Sequence, residues 1–326
     1  MADKYWALRQ QIGKYIERME IRGMSPKHIE SARYILNKRF ANPLKDAGLE
    51  LNVKKMGERE IMFLMNQEFG GTKKTRFWYL SIVSTFLKRN GNGIVDSLDL
   101  QRPQDERINV DWLTDTEEGE VWGYIMNHAT PLERGILTLE LGAGLRRIEV
   151  MRLKVGSVHD STMEVLGKGR GGGKPRTILI GDVVRESIDV WMEERQRMVI
   201  TKIRRIPGAR VSDHVFVHNK NGIHEYSENG MDRIMDGVKV KMAAIYGHDF
   251  TFSHHTMRRS FGRRAYFNGA RIEEIQNIYG HETPAQTYKY LGLKARDQKN
   301  VFDRQDSFVR GLSNSFQKME KIGVSQ

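Results

Sequence analysis

A mainly helical α+β chain, two domains with one small β element, is what this sequence predicts, and three observations predict it. Apolar residues recur three and four apart through most of the 326 residues, the spacing of helices buried along one face. β-Branched, alternating runs are confined to residues 162–180 and to HVFVH at 214–218, so the sheet has to be small. A polar, aperiodic stretch at 91–109 holds glycines and a proline, which breaks the helical pattern and reads as a linker. The expected division is a helical domain over 1–90, the linker, a second domain over 110–302 and a tail helix over 303–326.

In the first domain, Leu8, Ile12, Ile16 and Met19 place a helix over residues 5–20. Ser25-Pro26 caps the next, with Ile29, Ala32, Leu36 and Phe40 on one face. Residues 58–69 and 75–87 supply two more. The last has Phe77, Leu80, Val83 and Leu87 for a core and follows Lys73, Lys74 and Arg76, with Trp78 and Tyr79 interleaved. Basic groups beside aromatics suit a nucleic-acid backbone; aromatics in a core with lysines in water is the plainer alternative.

The second domain opens with a capping box, Thr114 to Glu117, ahead of Val121, Trp122 and Ile125. Ile136, Leu137 and Leu141 end a helix, glycines turn the chain, and Arg146 starts another helix whose buried side takes Ile148, Met151 or Val150, and Leu153. An arginine there is aimed at whatever the turn faces, and Glu149 at i+3 can pair with it and hold its fork. Residues 162–180, TMEVLGKGRGGGKPRTILI, read as two strands around a glycine-rich turn. Gly167, Gly169 and Gly172 match G-x-G-x-x-G, but TILI follows where a dinucleotide site needs a helix, so a nucleotide site is rejected. What remains is a hairpin carrying Lys168, Arg170, Lys174 and Arg176, able to reach into a groove or touch phosphates; a mobile basic loop competes for all but Lys168, which lies closest to the strand. Helices fit 183–198 and 229–246.

Residues 255–290 read as helix, turn, helix, turn, helix. His255 and Arg258 share a face at the first helix start, and Phe261 and Ala265 continue a core stripe. Ile272, Ile275 and Ile278 or Tyr279 bury the second helix, Gly280 stops it, and His281 follows. Thr283-Pro284 with Gln286 opens the third, which carries Tyr288 and Tyr290.

A net charge of +12 and a pI near 9.7 point to a polyanionic partner, with nucleic acid leading. The absence of cysteine excludes disulfides and thiolate metal sites and suits a reducing cytoplasm. No apolar run is long enough for a membrane span and the start lacks a signal-peptide core, so an intracellular, cytoplasmic protein is expected.

Arg146, Lys168, His255, Arg258, His281 and Tyr290, in that order, resemble the tyrosine recombinase (phage integrase) family. The motifs are GLRRIEVMRL for its first arginine box, VLGKGR for its hairpin lysine, HTMRRSF for its H-x-x-R box and YGHETPAQTYKY for its GH…Y box. The likeness covers about residues 112–291; the helical domain matches the family's core-binding domain only in size and character. Arg259 stands where many members have histidine, and the hairpin turn is unusually rich in glycine.

The chemistry explains these residue types. A tyrosine hydroxyl, with a pKa of about 10, can form a covalent phosphoester if activated. Arg146 and Arg258 can clamp the non-bridging oxygens and stabilise the transition state without a metal. Lys168 can protonate the leaving 5′-oxygen, His255 can take the tyrosine proton, and His281 can donate to a non-bridging oxygen. The resemblance implies a 3′-phosphotyrosyl intermediate, strand exchange without ATP, metal or other cofactor, double-stranded DNA with specific sites as partner, a homotetramer joined through the tail stripe Phe308, Leu312, Phe316 and Met319, and accessory DNA-bending factors. Rivals are a metal nuclease using His254, His255, His281 and Glu282, a catalytically silent DNA-binding protein, and a type IB topoisomerase-like strand transferase.

Overall fold

The stripe Leu8, Ile12, Ile16 and Met19 is buried along α1 (Ala2–Ile21), the first helix of a computed structural model that describes residues 2–101, 111–167, 173–293 and 310. Gly173 apart, those residues fall into two units, one within residues 1–107 and one from residue 108 on. In the first, Ser25 caps α2 (Pro26–Tyr34), accepting from the His28 N–H. The helix then widens through the π turns of Ile35–Ala41 into α3 (Asn42–Asp46). The widening lets Ile35, Leu36, Phe40 and Ala41 all turn inward. α4 (Glu58–Phe63) continues through the π turns of Leu64–Glu68, and Thr72 caps α5 (Lys73–Arg89).

Residues 92–100, read from sequence as linker, belong to this unit. They contain α6 (Ile94–Ser97), and Ile94, Val95, Leu98 and Leu100 pack against the core. Asn92 is buried and donates from Nδ2 to Val53 O at 2.6 Å and Met56 O at 2.9 Å. The flanking glycines and the following proline hid an apolar set at helical spacing. Of the expected linker, 102–110 lies outside the described residues.

The second unit begins with α7 (Asp115–Asn127), α8 (Pro131–Leu141) and α9 (Arg147–Arg152). α8 is buried on several sides: Ile136 and Leu139 enter one core with β1 (Thr162–Leu166), β2 (Pro175–Leu179) and α10 (Asp182–Arg205). Leu137 and Leu141 enter another with α7 and α11 (Glu228–Tyr246). β1 and β2 pair antiparallel, Thr162 opposite Leu179 and Leu166 opposite Pro175. β3 (Val217–His218) and β4 (His224–Glu225) make a second, two-residue pair. α12 (His254–Phe267), α13 (Ile272–Tyr279) and α14 (Pro284–Leu291) follow; Ile272, Ile275, Tyr279 and Leu291 form their small core. The expected tail helix lies outside the described residues. No described helix is long and apolar enough to cross a membrane.

Candidate active site

The turn after α8 builds the floor of the site. Gly144 takes φ +66°, and a Cβ there would lie 2.4 Å from the Phe261 ring, so conformation and space both demand glycine. The turn delivers Arg146 as the N-cap residue of α9. Three residues on, Glu149 reaches back to accept the Arg146 backbone N–H at 2.8 Å and Arg146 Nη1 at 2.8 Å. The carboxylate that starts the helix therefore also orients the arginine.

Two more guanidiniums converge on the same buried carboxylate. Arg258 Nη1 donates to Oε2 at 3.1 Å, and Arg176 donates from Nη1 and Nη2 to the two oxygens, both at 3.0 Å. Backbone carbonyls complete the frame. Tyr279 O accepts from Arg146 Nη1 and Arg258 Nη2, both at 2.9 Å, and Gly144 O accepts from Arg258 Nη1 at 2.6 Å. Burial pushes the Glu149 carboxyl up, but the Arg176 hydrogen bonds and the Arg258 charge outweigh it and hold the group below its ordinary value. Burial and Arg146 draw Arg258 down to about 10, which leaves it charged at neutral pH.

α12 presents His255 and Arg258 to this frame. Gly262 lets α13 approach closely: a Cβ there would sit 2.2 Å from the Tyr279 hydroxyl. That hydroxyl donates to Arg258 O, while the Arg258 guanidinium carbon lies 4.0 Å from the Tyr279 ring centre. Tyr279 is thus a buried support under the arginine. Gly280, at φ +62°, ends α13 and releases His281, and Thr283 caps α14, which brings Tyr290 over the site.

The Tyr290 phenol oxygen lies 3.3 Å from His255 Nδ1, and the Arg258 guanidinium carbon lies 5.8 Å from the centre of its ring. The rings of Tyr279 and His281 stand edge-on to Tyr290, each at 5.4 Å, and the Arg259 guanidinium carbon is 5.1 Å from its centre. Burial raises the phenol pKa against the pull of Arg258, Arg259 and Arg146, so the group is a neutral phenol at pH 7. Burial, then the charges of Arg259 and Arg258, lowers His255. Burial, then Arg258 and Arg146, brings His281 down to about 4. Both imidazoles are neutral at pH 7 and can accept a proton. His281 Nδ1 faces the buried Thr287 hydroxyl at 3.0 Å, so α14 also fixes the ring. Tyr288 points away, 47% exposed.

Of the residues singled out in the sequence, Arg146, Glu149, His255, Arg258, His281 and Tyr290 come together here. Lys168 and Arg170 lie outside the described residues. Lys174 is exposed. Arg176, expected among the phosphate-touching side chains, turns inward instead, and its Nε also donates to Ile278 O at 2.9 Å. The two-residue period of a strand explains it, because Arg176 shares its face with buried Ile178 and the exposed Leu179 takes the other. Lys73, Lys74 and Arg76 lie on α5 in the first unit, the two lysines exposed. Sequence reasoning missed Thr287 and the Tyr279 support.

The adjacent His254 faces elsewhere. Its Nδ1 meets the buried Glu140 carboxylate at 2.7 and 2.9 Å and its Nε2 lies 3.4 Å from Asp232, which also pairs with Arg147. With His255 against Tyr290, His281 against Thr287 and Glu282 exposed, these four do not converge. Among the described residues no group of three or more His, Cys, Asp or Glu is placed to hold a metal ion.

Comparison with known proteins agrees with this geometry. The sequence pattern of the phage integrase family matches residues 117–296. The tyrosine recombinase XerD of Oceanobacillus iheyensis is 24% identical over 290 residues, 86% of this chain and 92% of that protein. XerC of Corynebacterium efficiens is 29% identical over 172 residues, 52% of this chain and 49% of its own length, so the chain spans about half of that relative. Among solved structures, the Tn1549 transposon integrase in complex with transposon right end DNA superposes with a TM-score of 0.64 at 16% identity, covering 92% of this chain and 99% of that one. XerH bound to a palindromic difH substrate gives a TM-score of 0.63 at 15% identity, covering 94% and 98%.

Proposed function

We propose that Tyr290 is the nucleophile of this chain, which belongs to the phage integrase family and acts as a tyrosine site-specific recombinase. Tyr290 Oη attacks the scissile phosphorus, its proton passes to His255 Nδ1, and the bond to the 5′-oxygen breaks. The leaving oxygen takes a proton from Lys168, whose role rests on its place in VLGKGR. Arg146 and Arg258 hold the non-bridging oxygens, and their frame of Glu149, Gly144 O and Tyr279 O is preorganised, so no reorientation is required as charge builds. Neutral His281, in the tautomer in which Nδ1 accepts from the Thr287 hydroxyl, carries its proton on Nε2 and can donate it to the phosphate. The 3′-phosphotyrosine conserves the bond energy until a 5′-hydroxyl of the partner strand attacks. No step uses a metal or ATP.

The observation that carries this reading is the Tyr290 phenol 3.3 Å from a neutral histidine, with the Arg258 guanidinium carbon 5.8 Å from its ring centre. On the first unit, Lys73, Lys74 and Arg76 crowd the first turn of α5, which holds no acidic residue. Exposed Lys73 and Lys74 on a chain of net charge +12 support a DNA-phosphate contact there. By analogy with the XerH and Tn1549 integrase complexes the partner is double-stranded DNA at specific sites. Exchange between two duplexes needs four active sites, so the working form is a homotetramer, tied through the tail after Tyr290 and coupled to integration or excision of a mobile element in the cytoplasm.

A nicked suicide duplex tests the assignment. Tyr290→Phe should abolish the covalent protein–DNA adduct and leave binding intact, and Tyr288→Phe should form adduct at the parent rate. An adduct that persists in Tyr290→Phe and vanishes in Tyr288→Phe moves the nucleophile; binding without adduct in the unmodified protein, at every site tried, favours the silent DNA-binding alternative.

A further inference from the structure

The segment that enters the second unit lies along a face of α12 that the site does not use. Thr256 Oγ1 donates to Asp111 Oδ2 at 3.1 Å, and the Leu113 N–H donates to Ser260 Oγ at 2.8 Å. Between them the Trp112 ring stacks on Arg263, with the guanidinium carbon 3.7 Å from the ring centre. Thr256, Ser260 and Arg263 are spaced i, i+4, i+7, one side of the helix, whereas His255 and Arg258 serve the phosphate frame.

Arg263 then reaches across to the nucleophile helix. The residue is 8% exposed, its guanidinium carbon lies 5.0 Å from the Phe267 ring centre, and its Nη1 donates to Leu291 O at 3.0 Å. Leu291 is the last residue of α14 and follows Tyr290 directly. An eight-residue helix does not hold itself, and α14 buries only Thr287 and Leu291. A fixed cation on its terminal carbonyl supplies what the short helix lacks, since the C-terminal end carries partial negative charge. The frame around Arg146 and Arg258 is made by Glu149, Gly144 O and Tyr279 O. Arg263 takes no part in it.

We propose that Arg263 is a positioning residue for the nucleophile: clamped under Trp112, it fixes the C-terminal end of α14 and with it the reach of the Tyr290 phenol. The inference rests on Tyr290 being the nucleophile. Small displacements matter here, because a misplacement of about 1 Å can cost about 100-fold in rate.

The test separates the nucleophile's position from the phosphate frame. Adduct formation on a suicide duplex is measured for the full chain and for Arg263→Gln. In parallel, cleavage of the same phosphate by hydrogen peroxide is measured in Tyr290→Phe with and without Arg263→Gln; there the peroxide oxygen attacks phosphorus and the protonated 5′-oxygen leaves. Arg263→Gln should slow adduct formation about 10- to 100-fold while leaving DNA binding and peroxide cleavage unchanged. Unchanged adduct formation overturns the proposal, and so does a parallel fall in peroxide cleavage, which would place Arg263 in the phosphate frame. An adduct surviving in Tyr290→Phe overturns the nucleophile assignment first and this role with it. If Arg263→Gln does not fold, Trp112→Leu keeps the guanidinium and removes its plate. It should then show a smaller loss of adduct with peroxide cleavage intact; no loss, or loss of both, counts against the proposal.

Discussion

Two carboxylates, Glu140 and Glu149, are wholly buried nine residues apart, and they come to opposite electrostatic states. Glu149 meets three guanidiniums and sits below its ordinary pKa despite burial. Glu140 meets one imidazole; burial is the largest influence and its pKa is raised, against the pull of His254. The difference lies in the partners. An arginine is charged at any working pH, so a carboxylate among arginines keeps its charge, whereas a histidine can share or return a proton. The first arrangement suits a platform that must present fixed positive charge to a phosphate; the second joins α8 to the start of α12 and titrates.

Removing the charge of Glu149 should have the largest effect. Glu149→Gln leaves Arg146, Arg176 and Arg258 without their shared counter-charge and turns an amide NH2 toward guanidinium donors. Breaking a buried ionic partnership of this sort costs about 3–5 kcal/mol. Adduct formation should fall by about 100-fold or more, as loss of a preorganised charge arrangement does, and the unfolding midpoint in urea should drop. Near-wild-type cleavage by a folded Glu149→Gln would show that the arginines hold their positions through the carbonyls of Gly144 and Tyr279 alone.

An intermediate loss is expected at Arg176, which sharpens what the third guanidinium does. Arg176→Lys keeps a positive charge but cannot make the paired contact to Glu149 together with the bond to Ile278 O. Stability should fall by about 1.5–3 kcal/mol, the worth of hydrogen bonds to a charged group, and adduct formation by less than in Glu149→Gln, since Arg146 and Arg258 remain. Affinity for DNA should barely change. A marked loss of affinity with normal cleavage would restore Arg176 to the phosphate-contacting set.

How much of this could be read in advance differs between fold and site. Helix starts were legible because capping is local: Ser25, Thr114 and Thr283 each accept the backbone N–H three residues on. Helix ends were less so. α10 runs to Arg205, past the expected 198, because Ile200 and Ile203 at its end are exposed and mark no buried stripe. HVFVH gives two strand residues, Val217 and His218, opposite His224–Glu225, and its start pairs elsewhere, His214 bridging Lys154 and the Val215 N–H donating to Leu153 O. In the site, the pairing of Arg146 with Glu149 spans three residues and was visible in the sequence. Arg258 and Arg176 reach the same carboxylate from 109 and 27 residues away, a convergence that no single-sequence periodicity reports.

The smallest expected effect belongs to Glu140 and is visible only against pH. Burial alone would lower the pKa of His254, but Glu140, with Asp232 adding to it and Arg147 opposing, leaves it raised. A histidine raised in the fold stabilises fully below its unfolded value of about 6.5, and that contribution is lost as pH rises through the folded value. Burial raises Glu140 too, and a carboxyl raised in the fold contributes stability that is fully present below its unfolded value of about 4.3 and is lost as pH rises through its folded value. His254 therefore predicts a native state that gives up stability above about pH 6.5. Glu140→Gln still offers an oxygen to His254 Nδ1 but no charge to raise it, so its melting temperature should lie below wild type at pH 6 and converge toward it by pH 8.5. A difference of about 1 kcal/mol, typical of one such bond, corresponds to about 2–4 °C in a domain of this size. His255 and His281 are shifted downward and oppose this trend, losing stability as pH falls below about 6.5, so the subtraction of variant from wild type, not the wild-type curve alone, carries the result. A constant offset between the two melting curves from pH 6 to 8.5 would mean that Glu140 does not move the titration of His254 within that window, and that the pair holds its protons as fixedly as Glu149 holds its charge.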